Sequence, residues 1–170
     1  MTRYVLRDRV IAITGATGGL GRAAAIALRG KGAKLVLLDL DRDSLNALAI
    51  DLGGPGVAAG WVADACSLQS LEAALKHAAG HFGGIDVVIA GAGIGSPESL
   101  ESMEPAAFDR VVDINLNGVW RTFRAALPYV KARQGYLLAI SSMAALAFAW
   151  SSSPRASGWG VFIRRSSRRR

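Results

Sequence analysis

The chain has 170 residues, 51% of them apolar, enough for one domain with its own core and too apolar for a chain disordered throughout. Its net charge of +7 is concentrated at one end: residues 147–170 hold six Arg and no acid, while the remainder is close to neutral, so the high pI says little about what the body binds. The single cysteine, Cys66, excludes an internal disulfide and fits a reducing compartment. The charged start MTRYVLRDRV is no secretory signal, and the uncharged run 135–150 falls short of the roughly 20 residues of a membrane span, so the body is expected to be soluble and cytoplasmic.

Taken in chain order, apolar runs of strand length alternate with helical patterns. RVIAIT (9–14) predicts a first strand ending at glycines, and RAAAIALRGKG (22–32) an Ala-rich helix stopped by Gly30 and Gly32. AKLVLLDL (33–40) predicts a second, buried strand. Ser44 is the expected N-cap of a helix with Leu45, Leu48, Ala49 and Leu52 on one face. A weaker strand follows at 56–64. Ser67 then opens a helix carrying Leu68, Leu71, Leu75, Ala78 and Phe82. IDVVIAGAG (85–93) is a fourth strand, about 104–133 one long helix, and GYLLAIS (135–141) a fifth strand. This alternation predicts an α/β fold, a Rossmann-type doubly wound parallel sheet with five strands. His77 and His81 lie one helical turn apart with no third ligand, which reads as a solvated face and not as a metal site.

ITGATGGLGRAAA places Gly15, Gly19 and Gly21 between the first strand and the first helix. Glycines allow a tight turn, let the backbone approach a pyrophosphate, and expose the N–H groups of a helix N-terminus to it. Asp39 ends the second strand, where an acidic residue accepts hydrogen bonds from a ribose 2′-OH and repels a 2′-phosphate. The expected cofactor is therefore NAD rather than NADP, with Arg22 and Arg42 as the residues that favour the phosphate.

From about residue 7 to about 146 the chain resembles the short-chain dehydrogenase/reductase family. TGATGGLG (14–21) matches the family's glycine turn, with Thr14, Gly15, Thr17, Gly19, Leu20 and Gly21 at its positions. Asp64, followed by Ala65, matches the acidic residue that holds the adenine. Ala90, Gly91, Ala92 and Gly93 stand where the family has N-N-A-G or A-N-A-G, and INLNG (114–118) makes Asn115 the active-site Asn. AISSMAAL (139–146) makes Ser142 the active-site Ser, which in the family bonds the substrate oxygen. The resemblance implies NAD(P)-dependent oxidation or reduction of an alcohol or carbonyl substrate. Independently of it, Asn115 and Asn117 invite explanation, because Asn is a poor residue for a helix interior.

Two departures stand out. Gly91 replaces an Asn, which is expected to loosen the strand end. The family's Tyr-x-x-x-Lys lies roughly a dozen residues after the Ser, yet here no Tyr or Lys follows Ser142; the place reads SSSPRASGWG. The chain is therefore expected to be a C-terminally truncated or frame-disrupted member: a dinucleotide-binding domain over 1–146 and an Arg/Ser-rich, disordered tail over 147–170. It is expected to be inactive, with the family's last strands missing and its homo-oligomer interface lost. The alternatives are a nucleotide-binding pseudoenzyme or fragment, and a tail-driven binder of nucleic acid or acidic membrane.

Overall fold

Residues 4–96 and 101–142 are described by a computed structural model of the chain. Residues 1–140 form one unit and 141–170 a second, of which only Ser141 and Ser142 fall among the described residues. The tail expected over 147–170 lies outside them. In the first unit five parallel strands, β1 (Val10–Thr14), β2 (Lys34–Asp39), β3 (Ala58–Val62), β4 (Val87–Ala90) and β5 (Tyr136–Ala139), are ordered β3-β2-β1-β4-β5. The helices are α1 (Gly19–Arg29), α2 (Arg42–Asp51), α3 (Leu68–Phe82), α4 (Pro105–Val112) and α5 (Gly118–Ala132).

The central strands read as unbroken apolar runs because both faces of the sheet are covered. Ile11, Ile13, Leu35 and Leu37 point to one side and pack with Leu45 and Leu48 of α2 and Ala25 of α1. Val10, Ala12, Val36 and Leu38 point to the other and meet Leu71 and Leu75 of α3 and Ala126 and Val130 of α5. Among the described residues β5 is the last strand, and its Tyr136 and Leu138 are more than half exposed. No helix among them is long and apolar enough to cross a membrane.

Several expected boundaries shift. α1 begins at Gly19 rather than Arg22, so the last two glycines of the turn are already helical. The N-cap of α2 is Asp41 and not Ser44: Asp41 Oδ1 accepts from Ser44 N–H at 2.7 Å. A carboxylate three residues upstream reaches that orphan donor better than a hydroxyl on the same residue, and the bonds hold the Asp41 carboxyl below its usual range. The long helix expected over 104–133 is broken by a π-turn at Asp113–Asn117, between α4 and α5. His81 of the His pair is engaged locally, its Nε2 lying 2.8 Å from Pro55 O and its ring edge-on to Trp61 and Phe82.

At the amino end of the sheet, buried Asp86 takes the Val10 N–H at 2.9 Å and the Arg9 guanidinium at 2.8 Å. Asp86→Ala strands the Val10 N–H inside the protein, and an unsatisfied buried donor costs roughly 1–3 kcal/mol. Asp86→Asn keeps an oxygen for Val10 and should lose less. Urea unfolding of the two variants checks this; equal losses would assign the stabilisation to the charge pair instead.

Candidate functional site

At the carboxyl ends of the strands, β1 leads to β2 on one side of the sheet while β4 lies on the other. An open α/β sheet has its crevice at such a reversal. Here it is a cleft of about 1290 Å³. Its lining includes Thr14, Gly15, Thr17, Gly19, Leu20, Gly21, Asp39, Asp64, Ala65, Gly91, Ala92 and Gly93. Every expected cofactor-binding residue except Ala90 thus comes to one place; Ala90 is buried at the end of β4 just beneath.

The glycines have separate reasons. Gly15 has φ +69°, and a Cβ on it would stand 2.8 Å from the Ala92 Cα, so the turns after β1 and β4 touch backbone to backbone. A Cβ on Gly21 would collide with the Gly15 carbonyl oxygen, so α1 starts tight against its own turn. Gly19 differs: a Cβ there would meet nothing within 4 Å, and a side chain would occupy the cleft rather than the protein. The N-terminus of α1 has no side-chain cap and no acid in its first turn, which leaves its N–H groups and partial positive charge for an anion.

Asp39 does more than border the cleft. Its Oδ2 accepts from the Thr17 N–H at 2.9 Å and the Thr17 hydroxyl at 2.6 Å, and its Oδ1 accepts from the Leu40 N–H at 2.8 Å. The carboxylate pins the glycine turn, and of its roughly four lone-pair sites one remains for a ligand. Arg22 forms an ion pair with Asp51 at 2.8 Å, which ties it to α2. Asp64 Oδ1 caps the Cys66 N–H at 2.8 Å.

Across the cleft, the Thr14 hydroxyl accepts from the Gly91 N–H at 3.1 Å and the Ala92 N–H at 3.3 Å. The end of β4 is not loosened by Gly91, contrary to expectation. A Cβ there would lie 2.9 Å from the Thr14 carbonyl oxygen and 3.1 Å from Ile140 Cδ1, so neighbours have closed over the place of a side chain. Asn115 sits on the π-turn, which explains an Asn in what reads as a helix. Its Oδ1 accepts from the Ile94 N–H and its Nδ2 donates to the Ile94 carbonyl, both at 2.8 Å. Ser142 is exposed and belongs to the second unit, so the first unit brings together the cofactor residues and Asn115 but not Ser142.

Among the lining residues that the sequence reading did not place in the cleft are the polar side chains of Cys66, Asp109, Arg110 and Asp113. Burial, and then the neighbouring Asp113 carboxylate, push the Cys66 thiol up. Asp113 is held below the usual carboxylate range by Arg121 first and Asn117 second. The only signal for this cluster was an Asp two residues before Asn115 and an Arg eight residues beyond that Asp, a spacing with no general meaning.

The profile of the short chain dehydrogenase family matches residues 9–161, and the chain belongs to that family. A solved short-chain dehydrogenase/reductase of the glucose/ribitol dehydrogenase type from Brucella melitensis is 38% identical, with a TM-score of 0.80 over 88% of this chain and 62% of that one. A 3-ketoacyl-(acyl-carrier-protein) reductase from Brucella melitensis, complexed with NADH, is 32% identical, with a TM-score of 0.76 over 82% of this chain and 60% of that one. An alcohol dehydrogenase from Thermococcus sibiricus, complexed with 5-hydroxy-NADP, is 34% identical, with a TM-score of 0.72 over 78% and 57%. An uncharacterized oxidoreductase of Staphylococcus epidermidis is 30% identical over 139 residues, 81% of this chain and 60% of that protein. The chain thus spans about 60% of the length of such relatives. The family match runs beyond residue 146, where the resemblance read from motifs stops, and the added stretch contains no Tyr and no Lys.

Gly15→Ala tests whether the cleft depends on the backbone contact. The left-handed conformation alone costs roughly 1–2 kcal/mol for an alanine. The clash with Ala92 adds to it, so the melting temperature should fall and dinucleotide binding should be lost. Gly19→Ala, with open space around it, should melt like the parent and lose binding only. Equal melting of both variants would contradict this division of roles.

Proposed function

We propose that this chain binds a nicotinamide dinucleotide, NAD in preference to NADP, and does not by itself turn over the alcohol or carbonyl substrates expected of its family. The observation that carries the first half is the convergence of an uncapped α1 N-terminus, the open space over Gly19 and the Asp39 carboxylate on one cleft. The pyrophosphate is assigned to the turn Gly15–Gly21, the adenosine ribose to Asp39, and the adenine to Asp64 and Ala65. Gly91, Ala92 and Gly93 form the opposite wall. A nicotinamide bound there supplies the carbon that gives or takes a hydride.

The remaining chemistry falls to side chains, and here the chain is short of one. Hydride transfer at a carbonyl carbon needs a proton moved at its oxygen. A positioned acid or base contributes about 10²–10⁴ in rate. The family uses a Tyr for this, with a Lys beside it, and residues 143–170 contain neither. Ser142 is assigned a hydrogen bond to the substrate oxygen, and Asn115 the support of the cleft wall at Ile94. Neither ionises near neutral pH, so neither replaces the Tyr.

NADH fluorescence titration of the 170-residue chain should give saturable binding without NADH oxidation in the presence of carbonyl compounds. Replacing residues 147–170 by a family-type segment with Tyr-x-x-x-Lys and the following strands should restore turnover, and Tyr→Phe in that chimera should abolish it. Substantial turnover by the unmodified chain would overturn the inactive reading and direct attention to Tyr136.

The preference is tested through Asp39→Ala. Loss of a charge-assisted bond of roughly 1.5–3 kcal/mol should weaken NADH binding about tenfold or more. NADPH should lose less, because a repelling carboxylate is removed with it. A parent chain that already binds NADPH more tightly than NADH would reverse the assignment.

A further inference from the structure

The π-turn at Asp113–Asn117 is an inserted residue in an otherwise continuous helix, and such turns are rare because their hydrogen bonds and packing are poorer than those of an α-helix. Something must hold it. The Asp113 carbonyl takes the Gly118 N–H, the bond of a π-turn, and also takes Arg121 NH1 at 3.2 Å. The other arm of the same guanidinium, NH2, donates to Asp113 Oδ1 at 2.7 Å, and Asn117 Nδ2 donates to that oxygen at 3.1 Å. Arg121 therefore grips one residue by both its main chain and its side chain. The Arg121 side chain is only 21% exposed, so the grip is better shielded than an ordinary surface pair. On the far side, Gly118 fits against Ala65, where a Cβ would stand 3.3 Å from that of Ala65.

We propose that Arg121 is a positioning residue for the cleft: through Asp113 it locks the π-turn in the register that lets Asn115 hold the backbone of Ile94. The inference rests on reading the cleft as a dinucleotide site. Without Arg121, the Asp113 carbonyl is free to take the N–H of Asn117, as in an α-helix. Losing the inserted residue rotates one side of the turn against the other by about 100°. Asn115 then leaves Ile94, and the wall formed by Gly91, Ala92 and Gly93 loses its far anchor. Arg121 touches neither the glycine turn nor Asp39, so it reaches the cleft through the π-turn, with Asn115 as the contact to the wall at Ile94.

The test compares Arg121→Met, Arg121→Lys, Asn115→Ala and the Arg121→Met/Asn115→Ala double variant in the full chain. Hydrogen exchange at the Ile94 amide, without nucleotide, reads the register directly. It should accelerate about fivefold to tenfold in Arg121→Met and in Asn115→Ala, and NADH affinity should fall by a similar factor. Arg121→Lys, with one point of contact in place of a fork, should recover part of both. The double variant should be no worse than Asn115→Ala alone, because the two residues act in series. Multiplying losses, or an Ile94 amide that exchanges normally in Arg121→Met, would overturn the proposal. If Arg121→Met does not fold, the isosteric Asp113→Asn carries the same test. Should the parent chain fail to bind NADH, the dinucleotide reading falls while the Ile94 exchange still decides the role of Arg121.

Discussion

How close the turn after β1 comes to the turn after β4 governs everything at the carboxyl end of this sheet. Gly15 sets that distance. With φ +69° and no Cβ, it lets the backbone of Ala92 come into direct contact. The Thr14 hydroxyl then spans the gap to the Gly91 and Ala92 N–H groups, donors that a strand end leaves without a ladder partner. A side chain at Gly15 would push the two turns apart and widen the cleft between them. The hydroxyl bridge would be lost with the contact.

From that contact the cleft is braced outward in two directions. Towards β2, the Asp39 carboxylate takes both donors of Thr17 and fixes the crest of the glycine turn. Towards α5, Asn115 takes the N–H and carbonyl of Ile94 and fixes the segment after β4. Both braces use side chains that also have a place in the cofactor and active-site reading. A carboxylate already oriented by Thr17 and Leu40 loses little freedom when a ligand hydroxyl adds one more bond, which is the energetic meaning of preorganisation.

The fold was legible because its signals are redundant. Strands buried on both faces give runs such as VIAIT and KLVLLD, and helices at the right spacing leave few other ways to arrange them. The glycine turn and Asp39 were legible as a pattern, but the Thr17–Asp39 bond was not, since spacing does not reveal which residue satisfies a carboxylate. Gly91 shows the limit from the other side. Read as a missing Asn, it suggested a loosened strand; in place, Thr14 and Ile140 have taken up the space. The π-turn was beyond periodicity altogether, because the apolar residues around it, Val111, Ile114 and Val119, are too few to fix the helical phase on either side of one inserted residue.

That shift is hidden in the pattern and large at the site. A helix in plain α-register through this point would give the Asp113 carbonyl the Asn117 N–H, without help from Arg121. The Asp113 carbonyl instead takes a π-turn bond, and a guanidinium and an amide are drawn onto the same residue. Local preference and the observed register disagree here, and such disagreements mark places where the chain sustains a cost for geometry it needs elsewhere. The geometry obtained is that Asn115 and Gly118 leave the turn in different directions, one to Ile94 and one to Ala65. Those two residues stand on opposite lips of the cleft, after β4 and after β3. The inserted residue is what allows one helix to hold both.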